Sequence, residues 1–421
     1  MTTTISERKL TYSDVLRNRN FALLWVGQSV SIIGDMIYFL AINWFILEKT
    51  GSALQIGGNV IFSVTSSMIF SSVAGVVADR WDRRWIMIFS DLIRGFILIL
   101  FLSSILFGIF NLWFIYFITF ALTAVSSFFS PSYQSLIPNI LKKDELMIGR
   151  SLNVSSSNLL RATATAFSGV MIAFAGTQIA ILINAVSFFF SAILLAFIKP
   201  PQSIQGTKTN KLTFAAFFQD TASGWMYIRS MPVLISLFIL FASTDFGAAF
   251  TWPVHALFAE KALGGGPELY GYLSTASLLG AFAGGYFIGR YNKWFKQRPG
   301  QSFALAAFIW GCLSIAFSQS TSIPIALGLR FVIGWSLSMI HVPIFALLDA
   351  TVSDEFRGRV WATLGIGSMV SGSIATFLSG IIADKSSPRL SYLIAGLILV
   401  LAALLAVLLK PIRSAQIAKE E

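Results

Sequence analysis

Asp35, in "SIIGDMIYFLAIN", and Asp245, in "FASTDFGAAF", each stand in an otherwise apolar run. A carboxyl group held out of water can exchange a proton or bind a cation, and two of them could serve as coupling sites. The same groups can instead lock helices together through hydrogen bonds, for Asp35 near Asn43 or Asn59. Arg161 and Arg330 also lie inside apolar runs. There they could meet an anionic group of a substrate or pair with an acid, and pairing is the favoured role. His341 could titrate near neutral pH, line a gate or act as a hydrogen-bonding group. Asp91 and Arg94 are three residues apart, on one helical face, where they can neutralise each other or join the charges of "GVVADRWDRR", Gly75 to Arg84.

These charges need elements that cross a membrane. The 421-residue chain is 56% hydrophobic and only 12% charged, half the charge of an ordinary soluble protein. Apolar runs near 21–47, 54–78, 85–108, 110–136, 152–175 and 178–198 are followed by the polar stretch "KPPQSIQGTKTNK". Further runs lie near 232–258, 269–289, 301–318, 322–347, 361–383 and 390–409. Each is close to the roughly 20 residues that span a hydrocarbon core. The expected fold is an all-α membrane protein of 12 transmembrane helices. The expected division is an N-terminal half at 1–199, a cytoplasmic linker at 200–231 and a C-terminal half at 232–421.

Net charge +11 would suggest nucleic acid in a soluble protein, but here it has a topological cause. Of the 30 Lys and Arg, 23 fall in the N-terminal segment, every second loop and the C-terminus. The positive-inside rule therefore places both termini in the cytoplasm. The apolar run after the polar N-terminus is too long for a signal-peptide core and is expected to be retained. A shift of about 210 residues superimposes Asp35 on Asp245, "GVVADR" on "GYFIGR" and "KDEL" on "SDEF". Two six-helix halves repeated in parallel predict alternating access, with a substrate site near the midplane. Glycines at 280, 284, 285 and 289, and Ser368 with Gly372, have the small-x-x-x-small spacing of close helix packing.

The 75–84 stretch resembles the signature loop G-x-x-x-D-R-x-G-R-R of the major facilitator superfamily, with Asp82 in place of the second glycine. "GQSVSIIGD", "SDLIRG", "SPSYQSLIPNI" and "INAVSFFFSA" are similar to the macrolide-efflux branch of that superfamily. The resemblance implies a cytoplasmic gate built from Gly75, Asp79, Arg80, Arg83 and Arg84 with Asp91 and Arg94 nearby, Asp79 facing the N-terminal end of the eleventh span. It also implies that the first, fourth, seventh and tenth spans line the cavity, so that Asp35 and Asp245 face it. Two departures weaken the antiporter pattern. The fourth span lacks a buried arginine, and Ala164 and Thr165 stand where a Gly-Pro pair is expected in the fifth.

No GxxxxGK[ST], HExxH or GxSxG motif is present, which argues against ATP-driven transport by this chain alone and against a hydrolase. One cysteine and two histidines leave no disulfide framework and no metal cluster. No cofactor is expected. The expected function is secondary export of amphipathic small molecules of macrolide or multidrug type in exchange for protons, by a monomer in the cytoplasmic membrane. Export of a siderophore or transport of a lysophospholipid is the alternative, and a membrane-embedded enzyme or sensor a remote one. Cargo chemistry would show in the cavity: aromatic and Met walls for lipophilic compounds, a dense basic patch for catecholates or phosphates.

Overall fold

The computed structural model describes residues 11–109, 111–199 and 214–413, with the side chains of 72, 76, 79 and 214–220 outside the description. Among the described residues every regular element is a helix, as expected where lipid offers backbone groups no hydrogen-bond partner. In chain order these are α1 (Tyr12–Leu16), α2 (Arg19–Thr50), α3 (Ala53–Arg80), α4 (Arg83–Leu106), α5 (Leu112–Ile140) and α6 (Leu146–Ala196). They continue with α7 (Phe214–Ser230), α8 (Pro232–Thr251), α9 (Val254–Lys261), α10 (Pro267–Arg290) and α11 (Asn292–Gln297). The last are α12 (Pro299–Gln319), α13 (Ile323–Thr351), α14 (Asp354–Lys385), α15 (Pro388–Leu408) and α16 (Lys410–Arg413).

Among the described residues ten helices are long and apolar enough to cross a membrane. The expected twelve spans fit this set for two local reasons. α6 carries two apolar runs, because the chain leaves helical geometry at Gly176 (φ 81°, ψ 166°), a conformation that a side chain would disfavour. α10 carries the eighth run, but its Gly, Ser and Tyr content leaves it less apolar than the ten. The seventh run, expected as one span to 258, is instead broken. α8 stops at Thr251 and α9 restarts after Pro253, whose ring cannot continue the hydrogen-bond ladder. Proline also opens α8, α10, α12, α13 and α15 in the first turn, where its missing N–H costs nothing.

The chain forms two compact units. One holds 1–39, 65–164 and 175–212; the other holds 40–64, 165–174 and 213–421. In the first, Phe21, Leu24, Met87, Leu136 and Leu195 belong to one buried cluster. In the second, α7, which falls inside the stretch expected as a linker, stacks Tyr227 on Phe356 of α14 with ring centroids 4.4 Å apart. The same unit carries a helix cap built from a distant segment. The Asp384 carboxylate, at the end of α14, accepts from Ser52 Oγ and from the backbone N–H groups of Ala53 (2.7 Å) and Leu54 (3.3 Å) at the start of α3. An acid here meets the positive end of the helix dipole.

The small-residue face of α10 packs on α13. A Cβ on Gly280 would fall 1.8 Å from the Phe331 carbonyl oxygen and one on Gly284 2.5 Å from that of Trp335, whereas Gly285 and Gly289 face open space. Half of the expected glycine face is thus contact surface. Gly280→Val is expected to destabilise by about 1–3 kcal/mol through overpacking, and Gly285→Ala to leave stability unchanged or raised. Thermal melting of the two purified variants beside the parent checks this; equal melting of both contradicts the packing.

Candidate functional site: two mid-helix carboxylates

Asp35 lies near the middle of α2 and faces α6. Asn184 donates from Nδ2 to Asp35 Oδ1 at 3.4 Å. The approach depends on the neighbouring glycine, since a Cβ on Gly34 would sit 2.5 Å from both Asn184 Oδ1 and Ser187 Oγ. Asn184 is 1% exposed. Asn43, named with Asn59 as a candidate partner, hydrogen-bonds Tyr270 and lies more than two turns further along α2.

Asp91 and Arg94 join this neighbourhood. Asp91 is 0% and Arg94 5% exposed; their side chains form an ion pair, with Arg94 Nη2 donating to Asp91 Oδ1. The guanidinium also lies over the rings of Phe188 and Phe129, 4.1 and 4.7 Å from their centroids. It is one of two cations in electrostatic range of Asp35, the other being Arg161, whose residue is exposed on α6. One unit therefore holds a second acid, two arginines and an amide in range of Asp35.

Asp245 of α8 has a different surround. Ser368 of α14 donates its hydroxyl to Asp245 Oδ2, and His341 Nε2 of α13 stands 3.9 Å from Oδ1, beyond hydrogen-bond distance. The imidazole is stacked on Phe345, centroids 5.4 Å apart and planes 6° apart, and Phe241 lies 5.9 Å from it. Phe345 in turn meets Trp361 at 4.9 Å. Ser368, read from its spacing as a packing residue, is here the carboxylate's hydroxyl donor. Asn184 is a residue that sequence reasoning missed, and Ser368 one that it read for packing alone; both carry the signal of a polar side chain in an apolar helix.

The 75–84 stretch forms the end of α3 and the start of α4. Asp82 is the N-cap of α4, accepting from the Arg84 backbone N–H at 2.9 Å, which gives the residue in place of the family's glycine a local use. Arg83 Nη1 donates to the Ser135 carbonyl at 3.2 Å. Arg84 donates from Nε to that of Leu195 at 3.0 Å and from Nη2 to that of Ala196. Cations thus cover the negative ends of α5 and α6. Arg80 is exposed and Gly75 faces open space. The Asp79 side chain lies outside the described residues. Arg330 of α13 is buried, 7% exposed, with no acid paired to it among the described residues.

A bundle of membrane-length helices with carboxylates placed in mid-span is the architecture of a polytopic membrane transporter. A profile of the transmembrane secretion effector family matches residues 11–420, and the chain belongs to this branch of the major facilitator superfamily, a family of transporters and not of enzymes. It is 25% identical over 396 residues to YvqJ, an uncharacterised MFS-type transporter of Bacillus subtilis (strain 168), covering 93% of this chain and 92% of the relative. It is 22% identical over 406 residues to macrolide efflux protein A of Streptococcus pyogenes, covering 93% and 96%. With the multidrug efflux pump Tap of Mycolicibacterium fortuitum it shares 22% over 413 residues, covering 95% and 97%. The fold is that of a bacterial homologue of the human lysosomal transporter Spinster, solved inward-facing and unoccupied. The TM-score is 0.72 at 14% identity, over 96% of this chain and 99% of that one.

The Asp91–Arg94 pair is sealed enough for a sharp test. Arg94→Gln leaves a buried carboxylate without its cation and is expected to cost about 3–5 kcal/mol. The double variant Asp91→Asn with Arg94→Gln, which removes both charges, is expected to recover most of that loss. Thermal unfolding of the two in detergent decides it, and a double variant no more stable than Arg94→Gln contradicts the pairing.

Proposed function

We propose that the protein is a secondary exporter of lipophilic, amphipathic small molecules of macrolide or multidrug type, working by alternating access in exchange for protons. The observation that carries this reading is the surround of Asp245. A carboxylate in a membrane helix has one oxygen taken by a serine hydroxyl and the other turned to an imidazole 3.9 Å away. Carboxylate and imidazole at that distance can pass a proton with a small movement or through one water. The pair's net charge changes by one when it takes up or releases a proton, which is the requirement for coupling transport to a proton gradient. Asp35 is the repeat mate of this group and serves as the second coupling site.

Cargo class is supported by the walls around Asp245. Phe241 and Phe345 lie against His341, Trp361 packs on Phe345, and Trp225 and Phe238 pack 5.1 Å apart in the same unit. Aromatic faces bind lipophilic and cationic compounds and offer little to phosphates. The names of the efflux relatives point the same way. The distribution of Lys and Arg supports both termini in the cytoplasm, and the matched half-repeat supports two six-helix halves, 1–199 and 232–421, joined through 200–231. On that orientation Gly75, Asp79, Arg80, Arg83 and Arg84 belong to a cytoplasmic gate. The protein acts as a monomer.

The test is uptake of a macrolide or a lipophilic dye into everted membrane vesicles, driven by an imposed pH gradient. The parent is expected to accumulate the compound. Asp245→Asn is expected to fall to the level of vesicles lacking the protein, and Asp35→Asn to fall strongly, while both still exchange labelled for unlabelled compound without a gradient. Uptake that ignores the gradient, or both variants behaving as the parent, sinks the proton-exchange reading.

A further inference from the structure

Two buried arginines of this chain have very different neighbours. Arg94 has Asp91 against it and two phenyl rings beside it. Arg330 is almost as buried, at 7% exposed, yet among the described residues no carboxylate pairs with it and its guanidinium makes no hydrogen bond. Its Nε is closed off from solvent with no acceptor. A guanidinium cannot escape by losing its proton, and an uncompensated buried charge is among the costliest features a protein can carry.

The groups around Arg330 are ring faces, phenol hydroxyls and one neutral imidazole. Phe317 lies 5.8 Å from the guanidinium carbon. Tyr392, 0% exposed, is within electrostatic range of the charge, and its hydroxyl is buried without a partner. Tyr270, also in range, is engaged with Asn43. Tyr392 packs against Phe317 at 4.8 Å, Phe258 at 5.0 Å and His255 at 5.6 Å. The His255 ring hydrogen-bonds the Trp252 carbonyl and leaves Nε2 buried and unpaired. Arg389, over the Phe258 ring, spends its N–H groups on the carbonyls of Ser318 (2.7 Å) and Ala262 (3.1 Å). It adds positive potential and supplies no counter-charge.

We propose that Arg330 and Tyr392 form a binding site for a small monovalent anion of the chloride class, enclosed by α9, α10, α12, α13 and α15. The charge arithmetic selects a monoanion. One permanent positive charge with neutral tyrosines is balanced by one negative charge, whereas a dianion would bury an excess. The guanidinium and the free phenol hydroxyl supply charge-assisted donors. Nothing in this reading depends on the cargo or on proton exchange, so it stands or falls separately from the transport proposal.

The experiment is thermal unfolding of the purified full-length protein in detergent at fixed pH. Chloride or bromide is titrated against gluconate at constant ionic strength. The parent melting temperature is expected to rise saturably with either halide and not with sulfate, as linkage requires for a ligand of the folded state. Arg330→Gln is expected to lose the response. Tyr392→Phe keeps the charge and is expected to raise the half-saturating concentration about tenfold. A parent that melts alike in chloride and gluconate, or an Arg330→Gln response equal to the parent's, overturns the site. If Arg330→Gln fails to fold, a Tyr392→Phe half-saturation equal to the parent's overturns it.

Discussion

A charge carried into a membrane helix has to be answered inside the protein, because the surrounding hydrocarbon offers neither water nor counter-ions. The polar interior of this chain can be read as a set of answers to that constraint. Arg94 is answered by Asp91 three residues away, and by the faces of Phe129 and Phe188. Asp35 is answered by an amide and by the potential of Arg94 and Arg161. Asp245 has a hydroxyl and an imidazole and no full cation within bonding distance. Arg330 has, among the described residues, ring faces, phenols and a neutral imidazole, and no paired acid. The completeness of the answer falls along that series.

That gradient separates structural from working charges. A fully paired arginine and aspartate, both sealed, hold helices and change nothing when a proton or ligand arrives. A carboxylate with hydrogen bonds but no ion pair tolerates either charge state at moderate cost, and this is what a site that must load and unload needs. Asp245 fits the second description better than Asp35, whose neighbourhood already contains arginines. The two repeat mates are alike in position and unlike in surround.

Much of this was legible in the sequence. Run length and charge spacing gave the all-helical membrane class, and the motif at 75–84 with its branch-specific neighbours pointed to the superfamily. Asp35, Asp245, Asp91, Arg94 and Arg330 all announced themselves as charges among apolar residues. Their partners were harder to see. Periodicity places a residue on a face of its own helix, but which face meets which neighbour is settled by close packing. Asn184 reaches Asp35 only because Gly34 has no side chain, and Ser368 meets Asp245 across α8 and α14. The break of the seventh run at Pro253 could have been read from the proline itself. The break of α6 at Gly176 marks the gap already visible between two apolar runs.

Asp384 carries the same reasoning to a helix end. The sequence drew attention to Asp79 as a carboxylate that could sit on the positive end of another helix, through a motif with a known name. Asp384, in no motif, makes such a contact within its own unit, accepting from Ser52, Ala53 and Leu54 at the start of α3. The physics that makes the first attractive applies equally to the second: four unsatisfied N–H groups at a helix start and a dipole of the right sign. Here, too, Lys261 Nζ donates to the Gly51 carbonyl at 3.3 Å, so the turn between α2 and α3 is held by one acid and one base from distant segments. An exposed cap of this strength is worth little to overall stability. Contacts that are individually weak and chemically complementary can be made and broken within a transport cycle, which a sealed ion pair such as Asp91 with Arg94 cannot do.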